Sequence, residues 1–185
     1  MSKIAPQRLA FYKGMGGKFG AIQFHLQKPH YFCPKCKAKD FGAVLPEPCD
    51  TSNCSLNGTK MESREGCIFV EITSASGPNK YDWEKKILFA LSTNDMGQLL
   101  FGLETGEEIK LMHDPGAKSD KQGEVSKNLH MASPKGIKSG CLITMSQKKA
   151  SSEESLKHTV PLSGPEAKVL SVFLRAAITV SLAWD

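Results

Sequence analysis

Four cysteines early in the chain, Cys33, Cys36, Cys49 and Cys54, make a C-x-x-C pair and a C-x-x-x-x-C pair with twelve residues between the pairs. Paired thiolates at two- to four-residue spacing supply the two halves of a tetrahedral zinc site, so the four read as one closed structural centre. With every position on the metal filled by sulfur, no place is left for a reacting water, which argues against catalytic zinc. His25 and His30 stay outside the ligand set for the same reason. Four unrelated thiols or two disulfides are the competing readings; against disulfides, Met1 to Ala10 carry no apolar secretory segment that would imply an oxidising compartment. The remaining cysteines, Cys67 and Cys141, lie in strand-like runs and read as small structural thiols.

The cysteines sit in basic surroundings. Residues 1–39 contain no Asp or Glu and carry Lys3, Arg8, Lys13, Lys18, Lys28, Lys35, Lys37 and Lys39. A surface of one sign concentrates a polyanion and steers its approach, and nucleic acid is the commonest such partner. No lysine-rich amphipathic helix favours a membrane surface, and no apolar run approaches the roughly 20 residues that span a bilayer. Binding a single strand needs cations along the backbone path and flat side chains on which bases stack. Lys13, Lys18, Lys85 and Lys86 are the candidate phosphate contacts, Phe19, His25, Tyr81 and Trp83 the candidate stacking groups, and Gln23 a candidate for base edges. On the residues alone Lys85 and Lys86 also fit a solvated strand end, and Tyr81 and Trp83 also fit the rim of a core.

Signs of catalysis are missing. There is no paired-carboxylate motif, no phosphate-cradling glycine loop with its lysine, and no nucleophile beside a base; His113-Asp114 is the nearest to an acid-base pair. The expectation is a protein that is not an enzyme.

These groups must be positioned by a domain of ordinary make-up. At 185 residues, 40% hydrophobic, 23% charged and net +5, the chain reads as one domain, residues 1–185, with a core of its own. Along residues 18–28, Ile22, Phe24 and Leu26 alternate with Phe19, Gln23, His25 and Gln27, the pattern of a half-buried strand with a polar outer face. Residues 29–60 lose that alternation, collect prolines and hold the four cysteines, so they read as a loop organised by metal and inserted between strands 2 and 3. Strands follow at Cys67 to Ile72 and Lys85 to Leu91, around turn residues Ser76 to Asn79. A helix is predicted from Ser92, with Asp95 completing a capping box and Met96, Leu99, Leu100 and Leu103 on its apolar face. Strand-like runs occupy 107–113, 124–131, 139–147 and 156–161. A second helix starts at Ser163 with Pro165 and Glu166 in its first turn. Strands followed by a capped helix thus occur twice, at one constant offset.

The stretch Gly66 to Leu100, above all Tyr81-Asp82-Trp83-Glu84-Lys85-Lys86 and Phe89-Ala90-Leu91-Ser92, resembles the Whirly family of single-stranded nucleic-acid-binding proteins. The likeness continues through His113-Asp114-Pro115, Gly123 to Lys127, Val160-Pro161-Leu162 and Trp184. It implies an α+β fold of two four-stranded antiparallel sheets each followed by a helix, shared with kinetoplastid mitochondrial guide-RNA-binding proteins and, in smaller form, with coactivators of the PC4 type. It also implies a tetramer joined through the helices and a protein that binds single-stranded DNA or RNA in DNA maintenance, transcription or RNA processing. A zinc-dependent protein-interaction module of a larger complex, with RNA annealing as its variant role, is the alternative. By resemblance the compartment is a mitochondrion or another organelle, with the nucleus also open, and the sequence before the first strand shows no transit-peptide pattern. The family's lysine-glycine-lysine signature is matched only by Lys13-Gly14-Met15-Gly16-Gly17-Lys18, and the cysteine segment has no counterpart in the plant pattern.

Overall fold

The computed structural model describes residues 8–14, 19–33, 39–40, 62–117, 119–133 and 140–182. In chain order its elements are β1 (Arg8–Tyr12), β2 (Gly20–Gln27), β3 (His30–Phe32), β4 (Lys39–Asp40), β5 (Glu62–Arg64), β6 (Cys67–Gly77), β7 (Lys80–Tyr81), β8 (Ile87–Leu91), α1 (Thr93–Thr105), β9 (Ile109–His113), β10 (Val125–Ala132), β11 (Gly140–Lys149), β12 (Ser155–Ser163) and α2 (Gly164–Ser181).

The first sheet runs β1-β2-β6, with β8 pairing the first half of β6 and the two-residue β7 pairing its far end. The second runs β12-β11-β10-β9, and every pairing in both is antiparallel. The expected four-plus-four plan is therefore present, with β7 added as the short return arm of a hairpin. Asn79 closes that hairpin at a φ of 56°, a conformation asparagine tolerates better than most residues.

Alternation in sequence becomes inside and outside in the sheet. Ile22 and Phe24 of β2, Ile68, Val70 and Ile72 of β6, and Ile87, Phe89 and Leu91 of β8 are all buried on one face. They join Leu111, Leu129, Met131, Ile143, Met145 and Val160 of the second sheet and Met96, Leu99, Leu170 and Leu174 of the helices in a single core. Gly20 lets β2 approach β6: a Cβ there would lie 1.6 Å from the Thr73 carbonyl oxygen.

Both helices begin as the sequence predicts. The Ser92 N–H donates to Asp95 Oδ2 at 2.9 Å and the Ser92 hydroxyl accepts from the Asp95 N–H at 3.2 Å. The Ser163 N–H donates likewise to Glu166 Oε2 at 2.8 Å. Each box satisfies donors that the first helical turn would leave unpaired.

Two expectations change. The strand expected from Lys85 begins at Ile87, because Trp83–Lys85 form one 3-10 turn ahead of it. The segment expected to be a loop without strands instead contributes β3 and β4, which build with β5 a small sheet ordered β4-β3-β5. Strands of two or three residues are too short to leave a period in the sequence.

Candidate nucleic-acid interface

The outer face of the first sheet takes the side chains that alternate with the core. Arg8 and Tyr12 of β1, Gln23 and His25 of β2, Phe69 and Glu71 of β6, and Leu88 of β8 share it, with His25 opposite Arg8 and Phe69 and with Gln23 opposite Glu71. At one end of this face Tyr12, Tyr81 and Trp83 form an aromatic row, with ring centroids 5.4 Å apart for the first pair and 6.5 Å for the second. Tyr12 is 50% exposed, and the Tyr81 hydroxyl accepts from the Gly14 N–H at 3.1 Å. Tyr81 and Trp83 are half-buried rather than core, so the row stays partly open to solvent. Phe19, 43% exposed, lies next to Gly20 at the start of β2.

Polar groups cross the face as a chain. The Arg8 guanidinium and the Gln23 amide nitrogen both donate to the Tyr12 hydroxyl, at 2.6 and 3.3 Å. His25 Nε2 lies 3.1 Å from Gln23 Oε1, which can only accept, so this nitrogen carries the proton. Glu71 follows, and Lys86 Nζ donates to its Oε1 at 2.6 Å. Gln23 is only 7% exposed because Tyr12 covers it; the expected reader of base edges is spent on holding Tyr12 and His25.

The expected cations divide. Lys85 is 74% exposed and pairs loosely with Asp82 at 3.3 Å, which leaves it available to a phosphate. Lys86 is engaged by Glu71. Lys13 turns away from the face altogether and binds both carboxylate oxygens of Glu166, at 2.6 and 2.5 Å, at the start of α2. Lys18 lies outside the described residues, as do Cys36, Cys49, Cys54 and Trp184. Of the four proposed zinc ligands only Cys33 is described, and it is buried.

The turn that carries Trp83, Lys85 and Lys86 is held from two directions. On the β6 side the Asp82 N–H donates to the Ser74 carbonyl at 3.1 Å and the Thr73 hydroxyl donates to the Asp82 carbonyl. From the second sheet the buried His158 places Nε2 2.7 Å from the Lys85 carbonyl and Nδ1 2.6 Å from the Ser74 hydroxyl. A carbonyl only accepts, so Nε2 is the protonated nitrogen. His158 was missed in the sequence because its partners are 73 and 84 residues away. Tyr12, Phe69 and Arg8 were missed as face residues although alternation along β1 and β6 assigns them outward.

A cleft of about 380 Å³ opens where β8 meets β9 and β10, between Leu88, Ala90, Met112, Pro115 and Lys127. Lys127 Nζ donates to the Leu88 carbonyl at 2.7 Å, and burial pulls its pKa below the ordinary lysine value. At its back His113 stacks on Phe89 at 4.2 Å and reaches Asp95 Oδ2 at 3.2 Å. Asp114 accepts the N–H groups of Gly116 and Gly123 at 2.8 and 2.7 Å. The His113-Asp114 pair is thus committed to a helix start and a turn, roles that account for it without acid-base chemistry. Among the second thiols, burial raises Cys141 to about 11, which keeps it protonated and inert; Cys67 is half-buried on the outer side of β6 rather than in the core.

The sequence matches the family model described as Whirly transcription factor over residues 41–173. It is 28% identical over 155 residues to an Arabidopsis thaliana protein named single-stranded DNA-binding protein WHY2, mitochondrial, covering 83% of this chain and 64% of that protein. Over 67 residues it is 33% identical to the Solanum tuberosum single-stranded DNA-binding protein WHY1, chloroplastic, covering 36% of this chain and 24% of that protein. The chain thus spans less than two thirds of the length of these relatives. Its fold superposes on the crystal structure of WHY3 from Arabidopsis thaliana with a TM-score of 0.74 at 21% identity, covering 99% of this chain and 92% of that one. The Arabidopsis WHY1 structure gives 0.74 at 20% identity, covering 100% and 89%. The family match takes in β6 to β8, α1, the whole second sheet and the first half of α2, and on that ground the chain belongs to the Whirly family.

Proposed function

We propose that this protein binds single-stranded nucleic acid, DNA in preference to RNA, through the outer face of its first sheet, and that it is not an enzyme. The observation that carries the reading is the partly exposed aromatic row Tyr12, Tyr81 and Trp83 with the exposed Lys85 and Arg8. Stacked bases contribute about 1–3 kcal/mol each and the cations follow the backbone. The names of the Arabidopsis and potato relatives as single-stranded DNA-binding proteins support the DNA preference, and their mitochondrial and chloroplastic descriptions support an organelle. DNA maintenance or repair, transcription and RNA processing are the processes such binding would serve. Assembly as a homotetramer through the helices, or with a related chain, is supported by exposed Phe101 on α1 and Val169 and Val172 on α2.

Cys33, Cys36, Cys49 and Cys54 would hold a structural Zn²⁺ in the segment 29–60. The strand pairing favours this: Phe32, next to buried Cys33, pairs with Lys39, which follows Cys36 in the sequence, and with Glu62, which follows Cys49 and Cys54. Metal analysis of the purified protein should give one zinc per chain, and chelation should release it along with four titratable thiols.

Fluorescence anisotropy with labelled poly-dT, the matching RNA and a duplex, at low and moderate salt, tests the main reading. Tight, salt-sensitive binding of single strands that duplex does not match is expected. Equal binding of all three, or none, would sink it; none would leave the zinc segment as the place to seek a protein partner.

A further inference from the structure

Glu71 stands at the centre of the face assigned to nucleic acid, on β6, between Gln23 of β2 and Leu88 of β8. Its side chain is 19% exposed. A carboxylate here repels the phosphates that the rest of the face would attract, so a strand lying across it must turn its bases, not its backbone, toward this point. Lys86 holds Oε1 at 2.6 Å, which fixes the carboxylate and offsets its charge. Oε2 faces His25 Nε2 at 3.8 Å, too far for a hydrogen bond, and that imidazole proton is already given to Gln23. Among the described residues nothing donates to Oε2. The neighbouring Gln23 amide is occupied at both ends, by Tyr12 and His25. Beside the end of the polar chain at His25 thus stands a positioned carboxylate with, among the described residues, unused acceptor capacity.

We infer that Glu71 is a specificity-determining residue that selects bases with two adjacent N–H donors on the Watson–Crick edge, which means guanine. This rests on the single-strand reading of the same face. A carboxylate accepts in parallel from paired donors, as it does from the arginine fork. Guanine offers N1–H and N2–H side by side. Adenine and cytosine offer one exocyclic donor beside an acceptor, and thymine offers one donor flanked by two carbonyls, whose lone pairs oppose the carboxylate.

The test uses the full chain and three labelled oligonucleotides of equal length: all thymine, thymine with interspersed 7-deazaguanine, and thymine with interspersed inosine. The first substitute keeps both donors and cannot form four-stranded structures; the second keeps N1–H and lacks the N2 amine. The wild type should bind the 7-deazaguanine strand about tenfold more tightly than the other two, the size expected for a bidentate base contact. In Glu71→Gln that preference should collapse while the salt dependence stays that of the wild type. If Glu71→Gln instead tightens binding to all three alike and steepens the log–log salt slope by about 0.7, Glu71 only screens Lys86 and the inference is wrong. A wild type that binds all three equally also overturns it, with no variant needed. A wild type that binds none overturns the single-strand reading itself.

Discussion

The two halves of the molecule are built by one plan and finished differently. Each has four principal antiparallel strands and a helix opened by a capping box, and in each the capping carboxylate also meets a basic side chain at or just past the end of the first strand of the other half. Asp95 of α1 receives His113 at the end of β9, and Glu166 of α2 receives Lys13 just after β1. The helices are therefore stitched crosswise, each to the sheet it does not follow. The outer faces do not share this symmetry. The first carries the aromatic row, the hydrogen-bonded Arg8–Tyr12–Gln23–His25 chain and the Glu71–Lys86 pair beside it, whereas the second carries a Thr144–Thr159 hydroxyl pair and a Glu108, Lys110 and His130 cluster. Shared framework and unshared face separate what makes the fold from what gives it a task.

The comparison breaks hardest at two glycines. Gly20 starts β2 against the Thr73 carbonyl, and Gly140 starts β11 with a φ of 108° and its Cβ position 2.4 Å from the Leu162 carbonyl. Gly20→Ala must prise β2 from β6 and should cost about 3 kcal/mol; Gly140→Ala, through strain and crowding, should cost about 2 kcal/mol. Urea unfolding midpoints measure both. Values near zero would mean that the strands have more room than the geometry allows.

Next in size is the asymmetry of the faces. Trp83→Ala or Tyr81→Ala should weaken poly-dT binding about tenfold, the loss of roughly one stacked base, whereas Lys157→Ala on the second sheet should change it less than twofold. Equal losses from both would remove the distinction between the faces.

What could be read from the sequence follows the range of the interactions. Capping boxes close within three residues, so Ser92 with Asp95 and Ser163 with Glu166 announce both helices. Alternation is equally local, and it sorts Ile22 and Phe24 inward from His25 outward without any tertiary knowledge. Commitments between distant residues leave no such trace: nothing near Lys13 reveals Glu166, 153 residues on, and nothing near Lys86 reveals Glu71 across the strand pair. Of the three described lysines read as phosphate contacts, Lys85 is consequently exposed while Lys13 and Lys86 are engaged by carboxylates. Gln23, read as facing base edges, is buried and bonded to Tyr12, a neighbour on the adjacent strand. The short strands of the inserted segment were invisible because a three-residue strand has no period to detect.

The capping carboxylates sharpen the crosswise stitching at smaller cost. Glu166→Ala and Asp95→Ala should each destabilise by about 1 kcal/mol, the usual worth of a cap, measured by thermal or urea unfolding. Glu166→Gln should recover part of that loss, since glutamine completes the box but cannot pair with Lys13.

The smallest effect discriminates most about Lys13. Burial alone would raise the Glu166 pKa, but hydrogen bonds from Lys13 and Ser163 and the Lys13 charge outweigh it and hold the carboxyl below its ordinary value of 4.5. A folded-state value below the unfolded one means that the group stabilises the fold above about 4.5, and that this contribution fades as pH falls through the depressed value. Lys13→Met should therefore cost about 0.5–1 kcal/mol at pH 7, the range of a modest ion pair. The difference from wild type should close under acid, where neither protein has a charged carboxylate to pair. Because Lys13 points at α2 rather than across the sheet, the same variant should leave the salt slope of poly-dT binding unchanged. A slope reduced by about 0.7 would return Lys13 to the phosphate path, and α2 would then be tied to the first sheet by packing and by the Gly66 N–H to Ser181 carbonyl bond at 3.2 Å.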